Sequence, residues 1–258
     1  MTSQEINSFA LCLTMAIAAG LVGCFAVMRR MTLAADAISH IALPGLGVAL
    51  VLRINPMLGA LTMLLFGAVL IWALETETRI ATETITGVVF SVALAVGTLT
   101  TSGEQLIEAL FGRPGALAVP ELIVGVVAAI AVISFILVER NRLVIALVSP
   151  EIALTSGINV RRMNLLFLLT FALTVALGLR YLGVLLMGSL IIIPAATARH
   201  LARNLTQMLA VSVIVAVTST MAGTYAAAVF GRQSGPCIVA VAGAIFFLSL
   251  LSAGAVKG

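Results

Sequence analysis

Two ionisable side chains stand four residues apart in an otherwise apolar stretch, at Asp36 and His40. On a helix, residues at this spacing lie on one face, so that the carboxylate and the imidazole would be neighbours. These two groups suit Zn²⁺, Mn²⁺ or Fe²⁺ as ligands, and two protomers around a twofold axis would supply four of them. The pair is therefore a candidate transient metal site. The alternative is that Asp36 and His40 pair with each other or with Arg29 or Arg30.

Two further groups of residues are candidates for a role in a pathway through the bundle. Pro44, followed by Gly45, lacks the N–H that would bond to the carbonyl of residue 40, and this predicts a kink that aims the His40 region at a pathway. Gly188 and Ser189 are small enough for close helix contact. Pro194 then predicts a bend in the same helix. Ordinary packing in a bundle core explains this second segment equally well.

The composition indicates that these residues lie in a membrane protein. The chain has 258 residues, of which 62% are hydrophobic and 9% are charged, whereas a soluble domain carries about 25% charged residues. A bilayer core needs about 20 apolar residues per helix. Eight windows contain no charged residue and predict spans at 9–28, 54–74, 84–103, 122–138, 163–179, 181–198, 204–231 and 233–256.

Window 33–52, which contains Asp36 and His40, is the ninth predicted span, and eight spans are the fallback. With nine spans and the N-terminus outside, ten basic residues fall inside and four outside, which accounts for all 14 Lys and Arg residues. An excess of basic residues marks the cytoplasmic side. The sequence thus predicts an all-α, polytopic bundle of about nine spans, forming one transmembrane domain over residues 1–258 with a cytoplasmic C-terminus. The net charge of +4 is explained by basic loops and does not indicate a nucleic-acid partner.

One predicted cytoplasmic loop, about 139–162, contains a helix start and a helix stop. Ser149, Pro150 and Glu151 resemble a helix start with proline in the first turn, Ala153 follows, and Gly157 predicts the end. A helix of two turns is too short to be stable alone. The rest of the chain or a partner must therefore hold it. A second loop, 104–120, predicts a short outer-side helix followed by a turn.

Several classes of protein lack support in the sequence. A P-loop is absent, so the chain does not bind ATP by that motif. The three cysteines, Cys12, Cys24 and Cys237, lie in apolar stretches without a metal-binding or disulfide pattern. A secondary transporter or exporter that works without ATP is the alternative function, but more buried acids and inverted repeats would be expected of it. A structural scaffold is disfavoured by Asp36 and His40 within a span.

The chain resembles the permeases of zinc, manganese and iron ABC importers, the ABC-3 family. The resemblance is carried, in order along the chain, by three motifs and one loop: 29–33 with 36–40 and 43–45; 150–153 with 157 and 160–162; 183–186 with 193–199; and Leu110-Phe111-Gly112 in the outer loop.

This resemblance implies a type II importer fold in a bacterial or archaeal plasma membrane, with two permease copies, two cytoplasmic ATPases and an extracytoplasmic metal-binding protein. It implies that the chain is a transport subunit and not an enzyme, with no permanent cofactor and a divalent metal ion as cargo. It further implies that Asp36 and His40 lie on the metal path, and that the helix from Pro150 to Gly157 docks on the ATPase.

Overall fold

The computed structural model describes residues 3–78, 80–100 and 119–254, and these residues are almost entirely helical, with no β-strand among them. The ten helices of this part of the chain are α1 (Ser3–Met28), α2 (Thr32–His40), α3 (Ala42–Val51), α4 (Pro56–Glu77), α5 (Thr82–Thr100), α6 (Val119–Val148), α7 (Pro150–Thr155), α8 (Val160–Leu201), α9 (Leu205–Phe230) and α10 (Ser234–Gly254). The predicted all-α bundle is confirmed.

Seven helices within the described residues are long and apolar enough to cross a membrane. Two further apolar helical segments are described over 36–51 and 186–201. They correspond to the predicted windows 33–52 and 181–198. Seven of the nine predicted windows thus coincide with long apolar helices, and the described parts of the other two, which carry the candidate site residues, are also apolar and helical.

The helix α8 is broken at Gly183, where the backbone is left-handed, with φ of 73°. The Met187 side chain contacts Gly178, although a straight helix would separate these residues by about 13 Å along its axis. Near the start of α8, Asn164 binds Arg29 at the end of α1. Near the end of α8, Arg199 Nη1 donates to the carbonyl of Val27, at 3.2 Å. The two halves of α8 therefore form a hairpin whose ends meet at the same end of α1.

We call this end of the molecule, which contains Arg29, Arg161 and Arg199, the basic end. The predicted bend at Pro194 is not a helix break, because α8 continues through this residue. The interruption lies eleven residues earlier, at Gly183. The two predicted windows 163–179 and 181–198 are the two arms of one hairpin.

The segment that carries Asp36 and His40 is interrupted at Ile41, between α2 and α3. Pro44 lies in the first turn of α3, where a missing backbone N–H costs no helical hydrogen bond. The Ile41 N–H bonds to the carbonyl of Ile38, at 3.0 Å, and so tightens the last turn of α2. The predicted kink is confirmed as a helix break three residues before the proline.

Close backbone contacts hold the bundle together. A methyl group added at Gly45 or at Gly59 would collide with the other residue's carbonyl oxygen, so α3 and α4 touch along their backbones. Gly23 of α1 lies equally close to the carbonyl of Ile191 in α8. Such contacts suit a membrane protein, where small residues allow helices to approach without a hydrophobic driving force. The helix α8 packs against α1, α2, α4, α6, α9 and α10 and forms the centre of the bundle.

The helix α6 is longer than its predicted window. It has 30 residues and a length of about 45 Å, which exceeds a bilayer core of about 30 Å. The first ten residues of the predicted loop 139–162 therefore continue α6 through the charged residues Glu139, Arg140 and Arg142. Nearly all of the predicted outer helix at 104–120, including Leu110-Phe111-Gly112, lies outside the described residues.

Candidate functional site

Asp36 of α2 lies directly against Gly188 in the second arm of α8. A methyl group at position 188 would be 2.6 Å from Asp36 Oδ1 and 3.0 Å from Asp36 Cα. Asp36 is partly exposed, so its carboxylate lies at a helix contact without being sealed in the core. Asp36 and Gly188, which lie in different predicted windows, are thus in contact.

His40 is one turn further along α2 and is only 8% exposed. Its ring packs edge-on against Phe90 of α5, with 5.4 Å between the ring centroids. The His40 Nδ1 atom is buried without a hydrogen-bond partner among the described residues. Such an orphan polar atom costs about 1–3 kcal/mol and calls for a functional or structural reason. A neutral imidazole with an unpaired nitrogen can act as a metal ligand.

Arg29, an alternative partner for Asp36 and His40, binds other residues. Its guanidinium donates to Asn164 Oδ1 and lies over the Phe167 ring, 5.0 Å from the centroid. Burial lowers the pKa of the Arg29 guanidinium below its usual value, and the charge of Glu75 opposes this effect. A salt bridge with Arg29 therefore does not account for the presence of Asp36 in this apolar segment.

Within the part of the chain that the structure describes, no group of three or more His, Cys, Asp and Glu side chains could hold a metal ion. As metal ligands, Asp36 and His40 would supply half of a typical transition-metal set of four. An ion would complete its shell with water, with backbone oxygens or with groups from another chain. An incomplete set suits weak and reversible binding better than a permanent metal centre.

The other predicted path residues lie on α3 and on the second arm of α8. Pro44 and Gly45 begin α3, directly after the helix break that follows His40, and both are buried. Ser189 follows Gly188 and is partly exposed, whereas Pro194 is buried. Asp36 thus contacts α8 through Gly188, and Gly45 of α3 contacts α4 through Gly59. What sequence reasoning missed is Phe90, whose aromatic ring in α5 gave no signal of its contact with His40.

The predicted two-turn helix is present as α7, Pro150–Thr155, with proline in its first turn. Gly157 ends it with φ of +74°. The N–H of Gly157 bonds to the Leu154 carbonyl at 3.1 Å, and the N–H of Ile158 bonds to the Ala153 carbonyl at 2.8 Å. This pair of bonds is a Schellman motif, which requires the left-handed conformation that glycine adopts most easily.

The helix α7 lies at the basic end, beyond the apolar part of α6. Only Ala153 is buried, whereas Ile152 is 58% exposed and Leu154 is 66% exposed. Glu151 is also exposed. Ile152 and Leu154 leave apolar surface on this helix that another protein could cover. The shape, position and surface of α7 therefore suit a docking element.

Comparison with known proteins finds relatives that match almost the whole chain. The family model described as the ABC 3 transport family matches residues 3–253. The chain is 32% identical to the high-affinity zinc uptake system membrane protein ZnuB of Haemophilus influenzae, over 89% of this chain and 90% of that protein. It is 31% identical to the manganese transport system membrane protein MntC of Listeria innocua, over 93% of this chain and 87% of that protein.

The fold is also similar to a solved structure. PsaBC from Streptococcus pneumoniae, determined in complex with a Fab, matches with a TM-score of 0.84 and 27% sequence identity. The match covers 96% of this chain and 91% of that chain. The overall helical architecture is therefore shared with this solved structure.

Proposed function

The chain belongs to the ABC 3 transport family, and from this premise we propose that it is the transmembrane permease subunit of an ATP-driven importer for a divalent transition metal ion. The cargo is Zn²⁺ or Mn²⁺, the ions named for its relatives from Haemophilus influenzae and Listeria innocua. The observation that carries the proposal is the position of Asp36 and His40 in an apolar, helical segment inside the bundle.

Asp36 and His40 offer the ion a transient site on its path. A carboxylate and an imidazole bind both ions, and two protein ligands bind more weakly than the four of a structural site. Transport needs this balance, because an ion must enter the site readily and also leave it. A second copy of the chain, related by a twofold axis, supplies the matching pair and makes the permease a dimer.

The helix α7 docks on a cytoplasmic ATPase, one ATPase for each permease copy. Exposed Ile152 and Leu154 supply the apolar contact, and Glu151 adds a charge at its rim. ATP binding brings the two ATPases together and moves α7, which switches the path between outward and inward access. The chain itself performs no chemistry and holds no permanent cofactor.

The basic end is the cytoplasmic side in this proposal, because basic residues accumulate there. With segments 36–51 and 186–201 counted as crossings, the chain passes the membrane nine times as a single domain. Its N-terminus then lies outside and its C-terminus inside, in a bacterial or archaeal plasma membrane. The opposite end, which includes Arg53 and Arg232, receives the ion from an extracytoplasmic binding protein. A transporter that works without ATP is not favoured by the family membership.

The test is metal uptake into vesicles that contain this chain assembled with its ATPase. Loss of a hydrogen-bond partner of a metal ligand alone costs about 10- to 100-fold in affinity, so Asp36→Asn and His40→Ala should each lower ATP-driven Zn²⁺ or Mn²⁺ uptake at least tenfold. The matched control is His200→Ala, since the only other histidine is exposed at the basic end. Normal uptake by both site variants would show that the ion takes another route.

A further inference from the structure

We infer that Trp72 is the residue that transmits motion of the docking helix α7 to the helices beside His40. The inference rests on the proposed function and concerns how one part of the permease drives another. It starts from the contact between the last part of α4 and the first turn of α8. The Trp72 indole N–H donates to the backbone carbonyl of Arg161, at 2.9 Å.

The link between α7 and Arg161 is short and rigid. Ile158 is tied back to α7 by its bond to the Ala153 carbonyl, at 2.8 Å. The next residue, Asn159, caps α8, since its side-chain oxygen accepts from the Arg162 N–H at 3.0 Å. Arg161 is the second residue of α8. A displacement of α7 therefore reaches Arg161 through a segment that is hydrogen-bonded at both ends.

The bond from Trp72 is accompanied by two contacts of the Arg161 side chain. The guanidinium lies over the Trp72 ring, 4.9 Å from its centroid. It also forms an ion pair with Glu77, at 3.4 Å, in which the two side chains are 55% and 75% exposed. An exposed ion pair contributes little. The indole bond to a backbone carbonyl and the cation–π contact are therefore the stronger parts of the link.

The helix α4 connects this link to the metal site. Its Gly67 contacts Ile41, where a methyl group at position 67 would be 2.6 Å from Ile41 Cγ2. Ile41 is the break between α2 and α3 and follows His40 directly. Further along, Gly59 touches Gly45 at the start of α3. A shift of α4 along its axis therefore acts on the hinge that positions the His40 ring.

The neighbouring helix α5 moves with α4. Thr82 Oγ1 donates to Glu75 Oε1 at 2.8 Å, which fixes the start of α5 to the end of α4. Phe90 of α5 packs against the His40 ring. The α4–α5 pair thus contacts the His40 region both through Ile41 and through Phe90. Trp72 is thus a positioning residue. Among the described residues, its indole N–H makes the single hydrogen bond from a side chain of α4 to the backbone of α8.

The test measures metal ions taken up per ATP hydrolysed by the complete transporter in vesicles. Trp72→Phe keeps an aromatic ring and removes the N–H donor. One hydrogen bond corresponds to a factor of about five in an equilibrium constant. We expect the ratio of ions to ATP to fall about fivefold, with assembly and ATP hydrolysis retained. A merely structural residue would lower assembly and hydrolysis together and leave the ratio unchanged.

A second pair of variants keeps the test decisive if Trp72→Phe does not assemble. Arg161→Lys loses the planar guanidinium that stacks on Trp72, and should lower the ratio about two- to fivefold. Arg162→Lys, the same change at the next residue, should leave it unchanged. An assembled Trp72→Phe transporter with the wild-type ratio, or equal ratios for the two lysine variants, would overturn the inference. If the wild type shows no ATP-driven uptake, the proposed function itself fails.

Discussion

Gly188 and Asp36 are in direct contact across the interface between α8 and α2, with 2.6 Å between Asp36 Oδ1 and the place where a side chain at position 188 would begin. The absence of a side chain at position 188 is therefore what leaves room for the carboxylate. This contact makes the conformation of one helix depend on the other.

Gly188→Ala is expected to lower metal uptake about tenfold, since an added methyl group in a tight contact costs about 1–3 kcal/mol. The methyl group would displace the Asp36 carboxylate or push α8 away from α2. Uptake into vesicles and metal affinity of the purified complex would measure the effect. Gly243→Ala in α10 is the control, because an added Cβ there meets no atom within 4 Å. Equal uptake by the two variants would contradict the role assigned to the contact.

Substitutions of Gly157 should act through backbone conformation alone. An added Cβ meets no atom within 4 Å, but φ is +74°, a conformation that costs ordinary residues about 1–2 kcal/mol and asparagine less. We expect Gly157→Asn to retain most of the coupling, and Gly157→Val to lose it. Co-purification of the ATPase and metal-dependent ATP hydrolysis would rank the variants. Identical behaviour of both would mean that the Schellman motif is not needed for docking.

The contact between Gly45 and Gly59 should dominate the stability of the α3–α4 pair. Gly45→Ala places a methyl group against the Gly59 carbonyl, and we expect destabilisation of at least about 3 kcal/mol. Gly87→Ala in α5 is the matched control, because a Cβ there meets nothing within 4 Å. This change should stabilise the helix by about 0.5–1 kcal/mol. Thermal unfolding of the detergent-solubilised protein would show opposite shifts for the two variants.

Arg53 is expected to be replaceable by glycine with a gain in stability. It ends α3 with φ of 56°, while the Ile54 N–H bonds to the Ala49 carbonyl at 3.0 Å in a Schellman arrangement. Arg53→Gly should stabilise by about 1 kcal/mol and Arg53→Val should destabilise by about the same amount. Thermal unfolding would compare them. A lower melting temperature for Arg53→Gly would mean that the exposed guanidinium contributes more than the backbone strain costs.

Local features were predictable from the sequence because they depend on neighbouring residues. Asp36 and His40 share a helix face, Pro44 follows a helix break, and Pro150 and Gly157 bracket a short helix, as their types and spacing indicated. The hairpin in α8 was not predictable in this way. Its break falls at Gly183, whereas Pro194, the stronger breaking residue, lies within continuous helix. Transmembrane helices tolerate proline because neighbouring groups satisfy the freed backbone.

Contacts between distant segments were also beyond sequence reasoning. Nothing in the types of Phe90 or Trp72 indicates that the first packs on His40 and the second binds the Arg161 carbonyl. Both contacts depend on how α4 and α5 pack against α2 and α8. The length of α6 was underestimated for a related reason, since the charged residues at 139–142 mark the end of the apolar window but not of the helix.

The α2–α3 segment and the second arm of α8 have a consequence for how the protein enters a membrane during synthesis. The first is interrupted at Ile41, the second follows the break at Gly183, and each comes directly after an uninterrupted apolar helix, α1 and the first arm of α8. A nascent chain would insert the uninterrupted helix first and bring the other segment in beside it. The residues that we assign to the ion path would therefore be the last to settle in each pair. Their placement would depend on contact with a completed neighbour and not on partitioning into lipid.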